Sequence, residues 1–304
     1  MAAQSTVYFL DLGLSRAQDG LPNGRIVACD SDGSRVRTVV EGITTAPDGL
    51  GVDRKHGHIY YTNMGNPATE SGFISRVDLT GENHAIIVPA GKAYTPKQLA
   101  LELTSQKLYW CDREGMQVCR CNLDGSDVEV LVRSGKGEQD RKDPRNWCVG
   151  VSVDPSRQIL YWTQKGPSKG NKGRLLCAPL QMKANETADA RTDITLLLDN
   201  LPEPIDLDLD VQTQTLYLSD RGDPPYGNTI NRIDVQNHSD LQKEILVRKL
   251  HEAIGVALDL HERKIYFSDL LGSLYSANMD GTGQAILCPD EGDLTGVACV
   301  HGLY

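Results

Sequence analysis

The sequence predicts an all-β fold, a six-bladed β-propeller, and three observations carry that prediction. A short strand motif recurs six times, its leading tyrosines at 8, 60, 109, 161, 217 and 266, so the period is 49 to 56 residues. Apolar and small residues alternate with period two and are interrupted at short intervals by Gly, Asp and Asn turn signals, which marks antiparallel strands. The first motif copy has no strand ahead of it, and the last segment of the chain supplies one. A repeating unit of four strands and about fifty residues is a propeller blade.

In chain order the motif reads Val7-Tyr8-Phe9-Leu10-Asp11, Ile59-Tyr60-Tyr61-Thr62-Asn63 and Leu108-Tyr109-Trp110-Cys111-Asp112. It continues as Leu160-Tyr161-Trp162-Thr163-Gln164, Leu216-Tyr217-Leu218-Ser219-Asp220 and Ile265-Tyr266-Phe267-Ser268-Asp269. Upstream of five copies lies a strand of small residues alternating with aliphatics, beginning at Gly49, Gln98, Gly150, Asp206 and Gly255. Downstream comes a third strand, as in Phe73-Ile74-Ser75-Arg76-Val77, then a Gly-containing turn such as Asp124-Gly125 or Asp280-Gly281, then a short apolar fourth strand. The missing first strand is Gly296-Val297-Ala298-Cys299-Val300, so both termini build one blade and no open edge remains. The 304 residues are expected to form a single domain.

Tyr109-Trp110-Cys111-Asp112 and Tyr161-Trp162-Thr163-Gln164 resemble the YWTD repeats of low-density lipoprotein receptor propellers. The resemblance runs over nearly the whole chain. It implies that the motif ends, Asp11, Asn63, Asp112, Gln164, Asp220 and Asp269, serve mainly as inter-blade hydrogen-bonding groups.

Lys and Arg number 31 against 41 Asp and Glu, a formal net charge of −10, which argues against nucleic-acid and anionic-membrane partners. No apolar run has the length of a membrane span. Residues 1–10 lack a basic region followed by an apolar stretch, and the eight cysteines show neither CxxC spacing nor clustered histidines. Reduced thiols and a cytoplasmic location are therefore expected, with no structural zinc, and the sequons at Asn185 and Asn237 are read as fortuitous.

The innermost strands point to a site. At the aligned position Gly49, Gln98, Gly150, Asp206, Gly255 and Gly296, small residues are the rule and Gln98 and Asp206 break it. One position earlier stand Asp48, Lys97, Val149, Ile205, Ile254 and Thr295. Asp48, Lys97, Gln98 and Asp206 form an expected polar floor carrying the acid–base groups, with a solvated channel or internal ion pairing as the competing reading. The loops 11–24, 63–72, 164–173 and 220–229 exceed hairpin length and rise over one face. On them or near them, Trp147, Tyr226 and Met64 are expected to wall an apolar cavity, while Arg113, Arg221, Lys165 and His251 are candidates to bind anionic oxygens.

There is no GxSxG elbow, HExxH helix, Walker loop or dinucleotide fingerprint, so three classes remain: a cofactor-free enzyme, a calcium-assisted lactonase, and a protein-binding scaffold. The lactonase requires Asp48, Gln98, Asp206 and Asn146 to converge on a hard cation, which Lys97 opposes. The segments Asn146-Trp147-Cys148-Val149-Gly150, Pro202-Glu203-Pro204-Ile205-Asp206 and Ser219-Asp220-Arg221-Gly222-Asp223-Pro224-Pro225 resemble a soluble fungal branch, similar to the hetero-Diels–Alderases of tropolone–sesquiterpenoid biosynthesis. That resemblance implies two small-molecule substrates, a hydroxymethyl-tropolone dehydrated to an o-quinone methide and a humulene-type alkene, with no cofactor and no metal.

Overall fold

The computed structural model describes residues 4–302 and contains six four-stranded antiparallel sheets. The innermost strands are Leu294–His301 in blade I, Pro47–Asp53 in II, Pro96–Glu102 in III, Cys148–Asp154 in IV, Pro204–Asp210 in V and Ala253–Asp259 in VI. Each packs beside the next, and Leu294–His301 meets both Pro47–Asp53 and Ala253–Asp259, which closes the ring. Blade I joins the two ends of the chain, with Leu294–His301 pairing antiparallel to Ser5–Asp11 in a register that places Ala298 opposite Tyr8. Among the described residues no helix is long and apolar enough to cross a membrane.

Successive side chains of a strand point to opposite faces, so the aromatic pair in each motif reaches both neighbouring blades. Tyr60 packs into the interface between blades II and III, while Tyr61 packs into the one between I and II. Tyr109 and Trp110 divide likewise, as do Tyr161 and Trp162. Six apolar clusters result, one at each blade interface, and these rather than a central core hold the ring together.

The penultimate motif position supplies the polar stitching. Thr62 Oγ1 accepts from Gly49 N of its own blade and donates to Lys97 O of the next. Thr163, Ser219 and Ser268 repeat the pattern toward Ile205, Ile254 and Thr295, and Cys111 Sγ donates to Gly150 O at 3.1 Å. The motif-ending acids behave differently from expectation. Asp112 accepts from Tyr94 N and Thr95 N, Asp220 from Glu203 N, and Asp11 from Asp293 N, each on the loop leading into its own blade's innermost strand. A carboxylate at the strand end reaches that loop and not the neighbouring blade.

The rule of small residues on the inner strands also has a local cause. A Cβ on Gly150 would lie 2.2 Å from Ile205 O, and one on Gly49 2.5 Å from Lys97 O, so adjacent backbones leave no room there. All eight cysteines are free, seven of them buried.

Candidate functional site

Three concentric sets of residues build the upper mouth of the channel, and the repeat sets their register. The residue after each motif, Leu12, Met64, Arg113, Lys165, Arg221 or Leu270, donates its backbone N–H to the residue two positions before the constriction. Those acceptors are Asp293, Ala46, Thr95, Trp147, Glu203 and Glu252. Blades III, IV and V therefore present Arg113, Lys165 and Arg221 side by side, and Trp147, Glu203 and Glu252 follow on blades IV, V and VI.

The constriction is Asp48, Lys97, Val149, Ile205, Ile254 and Thr295. Its apolar half, Val149, Ile205 and Ile254, is a buried cluster of its own. On the polar half Lys97 Nζ lies 2.6 Å from Asp48 Oδ1 and 3.2 Å from Met64 Sδ, and Gln98 Nε2 donates to Asp48 Oδ2 at 3.1 Å. Burial pushes the Lys97 ammonium below its ordinary range, Arg113 and Arg221 push it the same way, and Asp48 opposes them. Proton donation from Lys97 is thereby brought nearer neutral pH.

Trp147 lies on blade IV, two residues before Val149 of the constriction. A short helix, Gly137–Arg141, and a 3-10 turn, Pro144–Asn146, lead into blade IV, and the indole Nε1 donates to Arg141 O at 2.8 Å. With its polar edge fixed, the half-buried ring takes the Arg113 guanidinium at 5.2 Å and the Lys165 ammonium at 5.7 Å from its centroid. Both distances are within cation–π range. Glu203, fully buried, accepts from Lys165 Nζ at 2.7 Å, Arg221 Nη2 at 2.6 Å and Lys169 N at 3.0 Å. Burial works against the Glu203 carboxylate, yet Arg221 and then Lys165 hold it below the usual range. Lys165 is lowered by burial, with Glu203 opposing.

Below the constriction the channel opens into a cavity of about 440 Å³, lined by leucines, valines and alanines with Gln98, Ser152, Asp206 and Asp208 among them. Asp206 faces this side. Its oxygens accept from Leu207 N at 2.9 Å and from Val256 N of blade VI at 3.0 Å. Asp208 repeats the device toward Leu209 N and Leu258 N. Burial raises the Asp206 carboxyl well above its ordinary range and pushes Asp208 up to about 6.

The structure therefore brings together Asp48, Lys97, Gln98, Met64, Arg113, Trp147, Lys165 and Arg221. It places three other expected residues differently. Asp206 lines the lower cavity together with Gln98, and both its oxygens are taken by backbone N–H groups. Tyr226 is 63% exposed at a loop tip and walls no cavity, its carbonyl accepting from Lys243 Nζ. His251 is exposed, with its backbone N–H tied to Asp269. Of the oxygens a calcium ion would draw on, those of Asp48 are already taken by Lys97 Nζ and Gln98 Nε2. Sequence reasoning missed Glu203 and Glu252. Extending the alignment two positions upstream, to the row of Trp147, would have found both.

No family model matches the chain. A "Low-density lipoprotein receptor-related protein 1" of Pyricularia oryzae is 45% identical over 97% of both chains. A "3-hydroxyacyl-CoA dehydrogenase-like protein LAM1" of Cochliobolus heterostrophus is 37% identical over 98% of this chain, which spans only 65% of that protein. Among solved structures, a chain of the nidogen/laminin complex superposes with a TM-score of 0.73 at 16% identity, covering 97% of this chain and 98% of that one. TolB from Acinetobacter baumannii gives 0.68 at 11% identity, over 97% of this chain and 66% of its own. The two structures bear on the fold alone. The two fungal relatives match essentially the whole chain, and with the six recurring motifs they place it in the YWTD-repeat, low-density-lipoprotein-receptor-like family of six-bladed β-propellers.

Proposed function

We propose that the upper mouth is the catalytic site of a cofactor-free enzyme that dehydrates a hydroxymethyl-tropolone to an o-quinone methide and directs its hetero-Diels–Alder addition to a humulene-type alkene. The observation that carries this reading is Trp147, pinned at its indole nitrogen and flanked by Arg113 and Lys165, at the mouth that also holds the Lys97–Asp48 ion pair. A tropolone is flat and carries two adjacent oxygens that share negative charge. Trp147 offers it a stacking surface, and the cations offer its oxygens charge.

Lys97 is the acid. As the C–O bond breaks, its ammonium gives a proton to the departing hydroxyl, water leaves, and the tropolone O–H proton returns to the lysine by way of Asp48. The proton balance closes without another reactant. The apolar half of the constriction and Met64 give the alkene a surface on which to meet the quinone methide before water adds to it.

The test is to incubate the purified protein with a hydroxymethyl-tropolone and a humulene-type alkene, then analyse adduct yield and stereochemistry against a protein-free control. A single enriched stereoisomer is expected, and Trp147→Ala should return the product ratio toward the control. Identical ratios with and without protein would overturn the reading in favour of a binding scaffold.

A further inference from the structure

The opposite, lower rim carries a second constellation that the proposed reaction does not use. His301 stands at the end of the closing strand Leu294–His301, and His261 and Glu262 occupy the turn after Ala253–Asp259 of neighbouring blade VI. In sequence the two histidines are forty residues apart, and no clustering was expected of them. The fold stacks their rings at a centroid distance of 3.6 Å and an interplanar angle of 22°. Glu262 Oε1 lies 3.3 Å from His261 Nδ1 and 4.0 Å from His301 Nδ1. One ligand atom from each of the three side chains falls within 4.8 Å of the others.

We propose that His261, Glu262 and His301 form a divalent transition-metal site, suited best to Zn²⁺, that clamps the closing strand onto blade VI. Four-coordinate zinc with bonds of roughly 2.0–2.2 Å needs donors about 3.4 Å apart. One pair, His261 Nδ1 and Glu262 Oε1, already has that spacing. For His301 to join, the two imidazoles must leave their stack and turn Nε2, the nitrogen not held by Ser5, toward the ion, which the exposed His261 and the partly exposed His301 allow. Two imidazoles and a carboxylate are a zinc-type donor set, and water completes the tetrahedron. An outer partner is present too. Ser5 Oγ lies 3.1 Å from His301 Nδ1 and also donates to Asp259, so it orients the His301 ring across the same seam and leaves its other nitrogen free. The half-exposed rim gives the ion a path in.

The experiment uses the untagged full chain, treated with chelator and then titrated with zinc chloride by calorimetry and by thermal unfolding. One zinc per chain is expected, raising the unfolding midpoint by on the order of 5 °C at a hundredfold excess over Kd. His301→Ala should abolish the uptake and the shift, and Glu262→Gln should weaken binding tenfold or more. His84→Ala, on a distant turn, should change neither. Because Glu262 lies on an exposed turn, its variant keeps the test decisive if His301→Ala folds poorly. Failure of the wild type to take up zinc, or uptake unchanged by both Glu262→Gln and His261→Ala, would overturn the proposal.

Discussion

Lys97 and Asp206 both looked like misplaced charges on a crowded axis, and their surroundings give them opposite roles. Lys97 has its Nζ against Asp48 and Met64 and feels Arg113 and Arg221 from across the mouth. Replacing it by Met keeps the bulk and removes the proton. Turnover should fall by roughly a hundredfold or more with little change in substrate affinity, as steady-state kinetics would show. Asp206 has both oxygens committed to backbone N–H groups, one of them on the next blade. Asp206→Ala leaves Val256 N unpaired in a buried wall and should cost about 1–3 kcal/mol in denaturant unfolding, while the folded protein keeps its turnover. A Lys97→Met enzyme with full activity would remove the acid assigned here.

At the scale of the strand, the motif divides its work by position. Its two aromatic positions fill the interfaces on either side, its hydroxyl joins two blades, and its terminal acid fixes the incoming loop. Thr163→Val strips Gly150 N and Ile205 O of their shared partner and should cost about 1–3 kcal/mol. Gly150→Ala should cost more, because its Cβ would meet Ile205 O at 2.2 Å and backbone must move. Equal or reversed losses in urea titrations would contradict the stitching scheme. This division explains what was legible beforehand. Strand number, order and the closing seam follow from period-two patterning and a fifty-residue repeat, which are local signals. The polar pairings were legible only where the repeat supplied an alignment. Asp48 and Lys97 surfaced as exceptions at one position, whereas Glu203 lay two positions beyond the comparison. Tyr226 and His251 were misjudged because alignment gives a residue's height in the blade but not the direction of a loop side chain. His261 and His301 meet only because the ring closes, which no local pattern records.

For the whole molecule, stability depends on a closed circle of interfaces and on the charges sealed into its channel. Removing residues 294–304 takes Leu294 and Val297 from the interface between blades VI and I and bares the edge of Ser5–Asp11. That chain should aggregate or lose cooperative unfolding, which scattering and calorimetry would reveal. The sealed charges give a subtler signature. Asp208 sits in the cavity wall with its carboxyl raised from 3.8 to about 6 by burial. Between those two values the folded state holds a proton that the unfolded chain has lost, so this group's contribution to stability falls as pH rises through the window. A shift of that size is worth about 3 kcal/mol at most. Glu203 and Asp210, held below their ordinary range, act oppositely and lose their contribution only as pH falls below the carboxylate range. The comparison that isolates Asp208 is therefore a double difference, the change in unfolding free energy from pH 7.5 to pH 5 in the wild type minus the same change in Asp208→Asn. The wild type should gain more on acidification, because the amide carries no charge at either pH. Identical pH responses in the two proteins would mean that the Asp208 carboxylate is as well solvated in the channel as in the unfolded chain, and that the backbone N–H groups of Leu209 and Leu258 fully offset its burial.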